Sequence, residues 1–194
     1  MASDAEVLMI DAAERIAAEQ GLGAMSLRAV QAAAGQRNKS AAHYHFGSRE
    51  GLIARVTAHR MAPINERRAD LLACLPLEAS PEELVEALVR PVAEAVLGVD
   101  DSCWARFVLA GFADPTVAGV VADGLEGEAF RGVGSRLLDV IDTLDDPADR
   151  RRRLDQVVGL VFLTLARCER ESSPQRVDEV VDDLVAVCTA VLKA

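Results

Sequence analysis

Met25-Ser26-Leu27-Arg28-Ala29-Val30-Gln31-Ala32-Ala33-Ala34-Gly35-Gln36-Arg37-Asn38-Lys39-Ser40-Ala41-Ala42-His43-Tyr44-His45-Phe46-Gly47-Ser48-Arg49-Glu50-Gly51-Leu52 reads as helix, tight turn, helix, followed by the start of a longer helix. Ser26 has the hydroxyl that an N-cap needs, and Leu27, Val30, Ala33 and Ala34 fall on one face of a short helix that Gly35 ends. The small run Ala32-Ala33-Ala34-Gly35 lets the next element come close. That element is expected from about Lys39 to His45, with Asn38 as its cap and Phe46-Gly47 as its close. Ser48 then caps a helix that begins at Arg49. The second helix is short and almost wholly polar or small, so it cannot serve as a core element. Gln36, Arg37, Asn38, Lys39 and Ser40 at its start are the side-chain types that donate to phosphates and read base edges in a major groove.

Charge marks the same region. The chain has 194 residues and a net charge of −10, yet residues 26–60 hold six basic residues (Arg28, Arg37, Lys39, Arg49, Arg55, Arg60) against the single acid Glu50. A basic segment on an acidic chain is the footprint of a module that touches phosphate. A solvated charged face gives the same pattern, so charge alone does not decide.

The surrounding sequence is helical throughout. Ser3-Asp4-Ala5-Glu6 is a capping box, and Val7, Ile10, Ala13, Ile16 and Ala17 continue it as one apolar stripe until Gly21 and Gly23. Pro63 is expected to kink or interrupt the fourth helix. A second capping box, Ser80-Pro81-Glu82-Glu83, opens a helix to about Gly98 with a kink at Pro91. Residues 102–113 read as a short helix stopped by Asp114-Pro115. Residues 116–144 are helical but glycine-rich, with one break. Two long helices follow, over about 148–169 and from Ser173-Pro174 to about Leu192. The pattern gives about nine helices and no strand: an all-α chain with a three-helix helix-turn-helix domain over residues 1–50 and a helical domain over 51–194.

With these residues in view, the chain resembles the TetR family of transcriptional regulators over about residues 5–55. The likeness rests on Met25-Ser26-Leu27-Arg28-Ala29-Val30, Ala34-Gly35, and Tyr44-His45-Phe46-Gly47-Ser48-Arg49-Glu50-Gly51-Leu52. Two departures stand out: one residue more than the commoner pattern between Gly35 and Phe46, and His43 where the family often has a phosphate-binding tyrosine. The resemblance implies that Ser26 and Arg28 hold backbone phosphate. It implies that Gln36, Arg37, Asn38, Lys39 and Ser40 read bases or hold the turn, and that His43, Tyr44 and Arg49 clamp flanking phosphates. Asn38 is either cap or base contact, and the extra residue leaves the register of base contacts open by one position. Phe46 is expected in the core, since a phenyl ring has no phosphate-bonding group.

The family also implies a two-fold homodimer on double-stranded operator DNA and a small-molecule effector that releases it. Two-fold symmetry expects half-sites about 34–36 Å apart or a multiple of that. The last two helices offer apolar stripes for a dimer interface: Leu154, Val157, Val158, Val161 and Leu165, then Val177, Val181, Leu184, Val185 and Cys188. The same stripes can pack internally. Trp104, Phe107, Phe112, Phe130 and Phe162, with Cys103 and Arg106 as polar contacts, are candidates for the wall of an apolar effector pocket, or for plain core.

Other classes find little support. No phosphate loop, nucleophile elbow or zinc-protease pattern occurs, so catalysis is not expected and no cofactor or metal is implied. The four cysteines, Cys74, Cys103, Cys168 and Cys188, match no metal or redox spacing and read as buried thiols of a reduced protein. No apolar run is long enough for a membrane span, and the acidic N-terminus lacks a signal peptide's basic region, so a cytoplasmic location is expected. The run Arg150-Arg151-Arg152-Arg153, among Asp145, Asp146, Asp149 and Asp155, reads as a solvated helix start. The rival to a DNA-binding regulator is a helical dimerisation or adaptor protein.

Overall fold

The computed structural model describes residues 3–38, 40–140, 146–171 and 176–194, and among these it contains ten α-helices and no strand. They are α1 (Asp4–Gln20), α2 (Leu27–Ala33), α3 (Ala41–Phe46), α4 (Arg49–Cys74), α5 (Pro81–Leu97), α6 (Trp104–Phe112), α7 (Ala118–Leu125), α8 (Glu128–Val140), α9 (Pro147–Cys168) and α10 (Val177–Lys193). The all-α class, the N-terminal helix-turn-helix and the C-terminal helical region are as expected.

Helix starts follow the hydroxyl and carboxylate caps. Ser3, Ser26 and Ser80 each accept from a first-turn N–H, and Asp146 accepts from Ala148 N–H at 2.8 Å. The Ser80 box is complete, with Glu83 accepting from Ser80 N–H at 2.7 Å. The Ser3 box forms only by half. Ser3 Oγ accepts from Glu6 N–H at 3.3 Å, but the Glu6 carboxylate turns to the Arg55 guanidinium. An ion pair to α4 displaces the reciprocal cap because a charged donor is the stronger partner.

Neither proline breaks its helix. α4 runs through Pro63 and α5 through Pro91. Each proline removes one backbone bond, and the apolar neighbours Met61, Ile64, Val89 and Val92, all buried, hold the flanking turns in place. The break expected in residues 116–144 falls at Glu126–Gly127, between α7 and α8. A Cβ at Gly127 would collide with the side-chain amide of Asn65, so the junction needs a residue without one.

The described residues form two compact units. The first takes the chain up to Met61 together with Cys103–Leu125. In it α1 packs on α2, α3 and α6, around Met9, Ile10, Ala13, Met25, Val30, Leu52, Ile53, Phe107 and Val108. The second takes Ala62–Ser102 and the chain from Glu126 onward. There α5 packs on α8, α9 and α10, around Leu84, Val85, Leu88, Leu137, Leu165, Val181 and Leu192. Cys103 and Cys188 are buried, Cys168 is half-buried, and burial pushes the Cys188 thiol up to about 11. Cys74 departs from the expected burial and is exposed. Among the described residues no helix is long and apolar enough to cross a membrane, and no His, Cys, Asp and Glu gather as a metal site.

α1 is clamped to α4 by charge as well as by its apolar stripe. Arg60 bonds Glu14 through Nε at 2.5 Å and Nη2 at 2.8 Å and reaches Asp11 at 3.0 Å, while Arg55 holds Glu6. The hydrogen bond from Arg55, working against burial, keeps the Glu6 carboxyl below its ordinary 4.5. A lowered folded-state value means stability that is present above 4.5 and disappears as pH falls through the folded value. Glu6→Gln is expected to lower stability at neutral pH by about 1 kcal/mol. The gap between wild type and variant should narrow in urea unfolding as pH is lowered below 4.5, and a gap of constant size down to the acid limit of folding would count against this account.

Candidate nucleic-acid interface

α2 ends in a tight reversal that sets the direction of everything after it. Gly35 takes φ +65°, its N–H bonds Ala32 O at 3.1 Å, and Gln36 N–H bonds Gln31 O at 3.0 Å. This pair is the Schellman arrangement, in which a left-handed residue lets two orphan carbonyls be satisfied at once. The next helix starts later than its composition suggests. Asn38 is a turn residue, its Oδ1 accepting from Ser40 N–H at 3.1 Å and its carbonyl from Ala41 N–H at 3.0 Å. Gln36, Arg37, Asn38 and Ser40 therefore precede α3 instead of forming its first turn, and Lys39 lies outside the described residues. Asn and Ser satisfy backbone groups locally, and that competes with helix at this point.

α3 itself is one and a half turns. Ala41, Ala42 and Phe46 are buried, as expected for Phe46, whereas His43 is exposed and Tyr44 is 84% exposed. Its end is closed by Gly47, at φ +70° with its N–H on His43 O at 2.9 Å. Ser48 Oγ then accepts from Gly51 N–H at 3.0 Å and opens α4. Gly51 sits against the last carbonyl of α3, where a Cβ would overlap Phe46 O.

Between α2 and α3 lies an open groove of about 680 Å³. Arg28, Gln31, Gln36, Arg37 and His43 supply its polar lining, over a floor of Leu27, Ala32 and Ala42. Of the apolar residues expected on the inner face of α2, only Val30 is fully buried; Ala33 is exposed. The small residues thus keep the groove open instead of packing two helices together. Ser26 Oγ is engaged as a cap, accepting from Ala29 N–H at 3.1 Å, which leaves its hydroxyl proton available to donate.

The five described cations of residues 26–60 divide sharply. Arg49 is half-buried, donating to Leu22 O at 3.0 Å and paired with Asp114 at 3.2 Å. Arg55 and Arg60 face the acids of α1. Arg28 and Arg37 are exposed and have no ion-pair partner among the described residues. The outward positive charge is therefore concentrated at the groove and is smaller than the sequence count.

The expected pocket residues do not gather in one unit. Cys103, Trp104, Arg106, Phe107 and Phe112 belong to the first, Phe130 and Phe162 to the second. Trp104 and Phe107 stack with ring centroids 5.7 Å apart and are 2% and 0% exposed, and Arg106 reaches Cys103 Sγ at 3.2 Å. Of the expected interface residues, Leu154, Val157, Val161, Leu165, Val181, Leu184 and Cys188 are buried within the chain, while Val158, Val177 and Val185 are half-buried. The large apolar residues that α9 and α10 leave outside are Leu163 and Val187, about half exposed and absent from the sequence reading. Gln31 was also missed. Its spacing of three from Arg28 puts both on one helix face, which was the available signal.

The groove depends on how α3 is held against α4. Gly51→Ala is expected to push α3 off the first turn of α4, lowering stability by about 2 kcal/mol or more, in the range of overpacked sites. Chemical denaturation checks this. An alanine variant as stable as wild type would show that the junction is not tight.

Comparison with known proteins bears on both units. Residues 9–56 match the family of bacterial regulatory proteins, tetR family. No curated protein matches by sequence. Solved structures match over almost the whole chain. The fatty acid degradation regulator FadR from Bacillus halodurans is 14% identical with a TM-score of 0.71, covering 97% of this chain and 96% of its own. FadR from Bacillus subtilis in complex with stearoyl-CoA is 14% identical with a TM-score of 0.69, covering 95% and 97%. The multidrug binding protein EbrR complexed with malachite green is 24% identical with a TM-score of 0.52, covering 95% and 98%. At these identities the likeness is one of fold.

Proposed function

This chain has a tetR-family N-terminal domain, and on that premise we propose that it is a ligand-responsive transcriptional regulator: a repressor that holds palindromic operator DNA as a homodimer and lets go when a small, mostly apolar molecule binds. Residues 1–50 are the DNA-reading module and residues 51–194 the effector and dimer module of a cytoplasmic protein with no catalytic role. The observation that carries the reading is the groove between α2 and α3, where Arg28 and Arg37 are exposed with no ion-pair partner among the described residues, while Arg49, Arg55 and Arg60 are paired with acids.

In this reading Arg28, the Ser26 hydroxyl, His43 and Tyr44 take phosphates. Gln31, Gln36, Arg37, Asn38, Lys39 and Ser40 lie against base edges or hold the turn on the backbone. Arg49 acts at one remove, by fixing the start of α4 through Leu22 and Asp114. Leu163 and Val187, with half-buried Val158 and Val185, are the apolar surface left for the partner subunit. The stearoyl-CoA and malachite green bound by structural relatives support an effector with a large apolar part. Differential affinity for the form that does not fit DNA provides the release.

Arg37→Ala is expected to weaken binding to the chain's own upstream region about tenfold or more, as for loss of a base or phosphate contact, with the unfolding midpoint unchanged. Gel shifts at two salt concentrations check this, since phosphate contacts predict a steep loss of affinity with salt. Absence of binding to any duplex would favour the adaptor reading. Leu163→Glu is expected to convert a dimer to a monomer in light scattering; a variant that stays dimeric moves the interface elsewhere.

A further inference from the structure

Arg68, on α4, is the largest fully buried side chain of the protein, 1% exposed. Among the described residues it has no carboxylate partner. Nη1 donates to Asn65 Oδ1 at 2.5 Å and Nη2 to Leu88 O at 3.1 Å, both neutral acceptors. The guanidinium carbon lies 5.6 Å from the centroid of the Phe130 ring. Two of its five N–H groups are thus bonded, and Nε has no partner. By contrast, the buried acids Glu6 and Glu14 and the half-buried Arg49 and Arg60 each have an opposite charge beside them.

A buried cation without a counter-charge is normally eliminated or paired, because desolvation is not repaid. Burial pushes Arg68 down to about 10, with no neighbouring charge contributing, so it remains a cation at neutral pH. The surroundings are built around it. Gly127 lets the Asn65 amide come close. Leu88 and Phe130, both buried, lie beside Arg68.

We propose that Arg68 is the anchor for the acid group of the effector, and that the effector is an apolar organic acid whose carboxylate pairs with the guanidinium inside the second unit, its hydrocarbon lying against Leu88 and Phe130. The planar fork fits a carboxylate through two parallel hydrogen bonds. The acid supplies the missing counter-charge, so binding is favoured by the same burial that strains the empty site. Because Arg68, Leu88 and Phe130 are all buried, entry requires the helices around them to part, which gives the ligand a differential interaction with a second conformation.

The proposal rests on the regulatory reading above, and the test keeps the two apart. The unliganded protein, Arg68→Met and Arg68→Lys are followed by thermal unfolding with decanoate, hexadecanoate and 4-phenylbutanoate, each beside its matching alcohol. At least one acid is expected to raise the wild-type midpoint clearly above the effect of its alcohol. Arg68→Met should reduce the acid response to that of the alcohol while leaving the unliganded midpoint unchanged or higher. Arg68→Lys, which keeps charge but loses the fork, should weaken the acid about tenfold and leave the alcohol unaffected; it decides the matter if Arg68→Met does not fold. No difference between acids and alcohols in the wild type, or an acid response that survives in these variants, overturns the proposal. Duplex binding is measured on the same preparations. Acid binding through Arg68 in a chain that holds no duplex removes the operator reading alone, and duplex binding without acid binding removes this inference alone.

Discussion

The close approach of α3 to the first turn of α4 is the constraint on which the N-terminal unit depends. It requires a left-handed residue at Gly47 and the absence of a Cβ at Gly51, because Phe46 O occupies that space. Phe46 can then turn into the core while His43 and Tyr44 on the same short helix stay in solvent. A helix of six residues has too little hydrogen bonding of its own to be stable. Its position is therefore imposed by the elements at its two ends: the Gly35 reversal after α2 and the Gly47–Gly51 junction before α4.

Electrostatics divides the work between holding and reaching. The acids of α1, Glu6, Asp11 and Glu14, take up Arg55 and Arg60, and Asp114 takes up Arg49. These pairs neutralise charge that would otherwise spread over the unit. Of the described cations in residues 26–60, Arg28 and Arg37, beside glutamines and a histidine, are the ones without an acid partner. A localised positive edge on a chain of net charge −10 suits recognition of one surface of a polyanion better than a diffuse field would.

The second unit shows the opposite policy at Arg68. There a full charge is sunk beside Leu88 and Phe130, with two neutral oxygens as its hydrogen-bond partners among the described residues. A fold that needed only packing would place a hydrocarbon side chain in that position. The apolar faces of α9 and α10, by contrast, are used mainly inside the chain, and only Leu163 and Val187 are left as large apolar side chains about half exposed.

The all-α class and most helix starts follow from the sequence alone, because caps, glycine stops and apolar spacing act within a few residues. Ser26, Gly35, Ser80 and Asp146 do in the structure what their chemistry predicts. The tertiary structure decided what depends on distant partners. It ran α4 and α5 through their prolines and delayed α3 until Ala41. It paired Arg49, Arg55 and Arg60 with acids of other helices and loops, and buried Arg68, which no local pattern distinguishes from its neighbour Arg67. A cap is settled by bonds between adjacent residues, whereas whether an arginine meets water, an acid or a phenyl ring depends on chain brought in from tens of residues away.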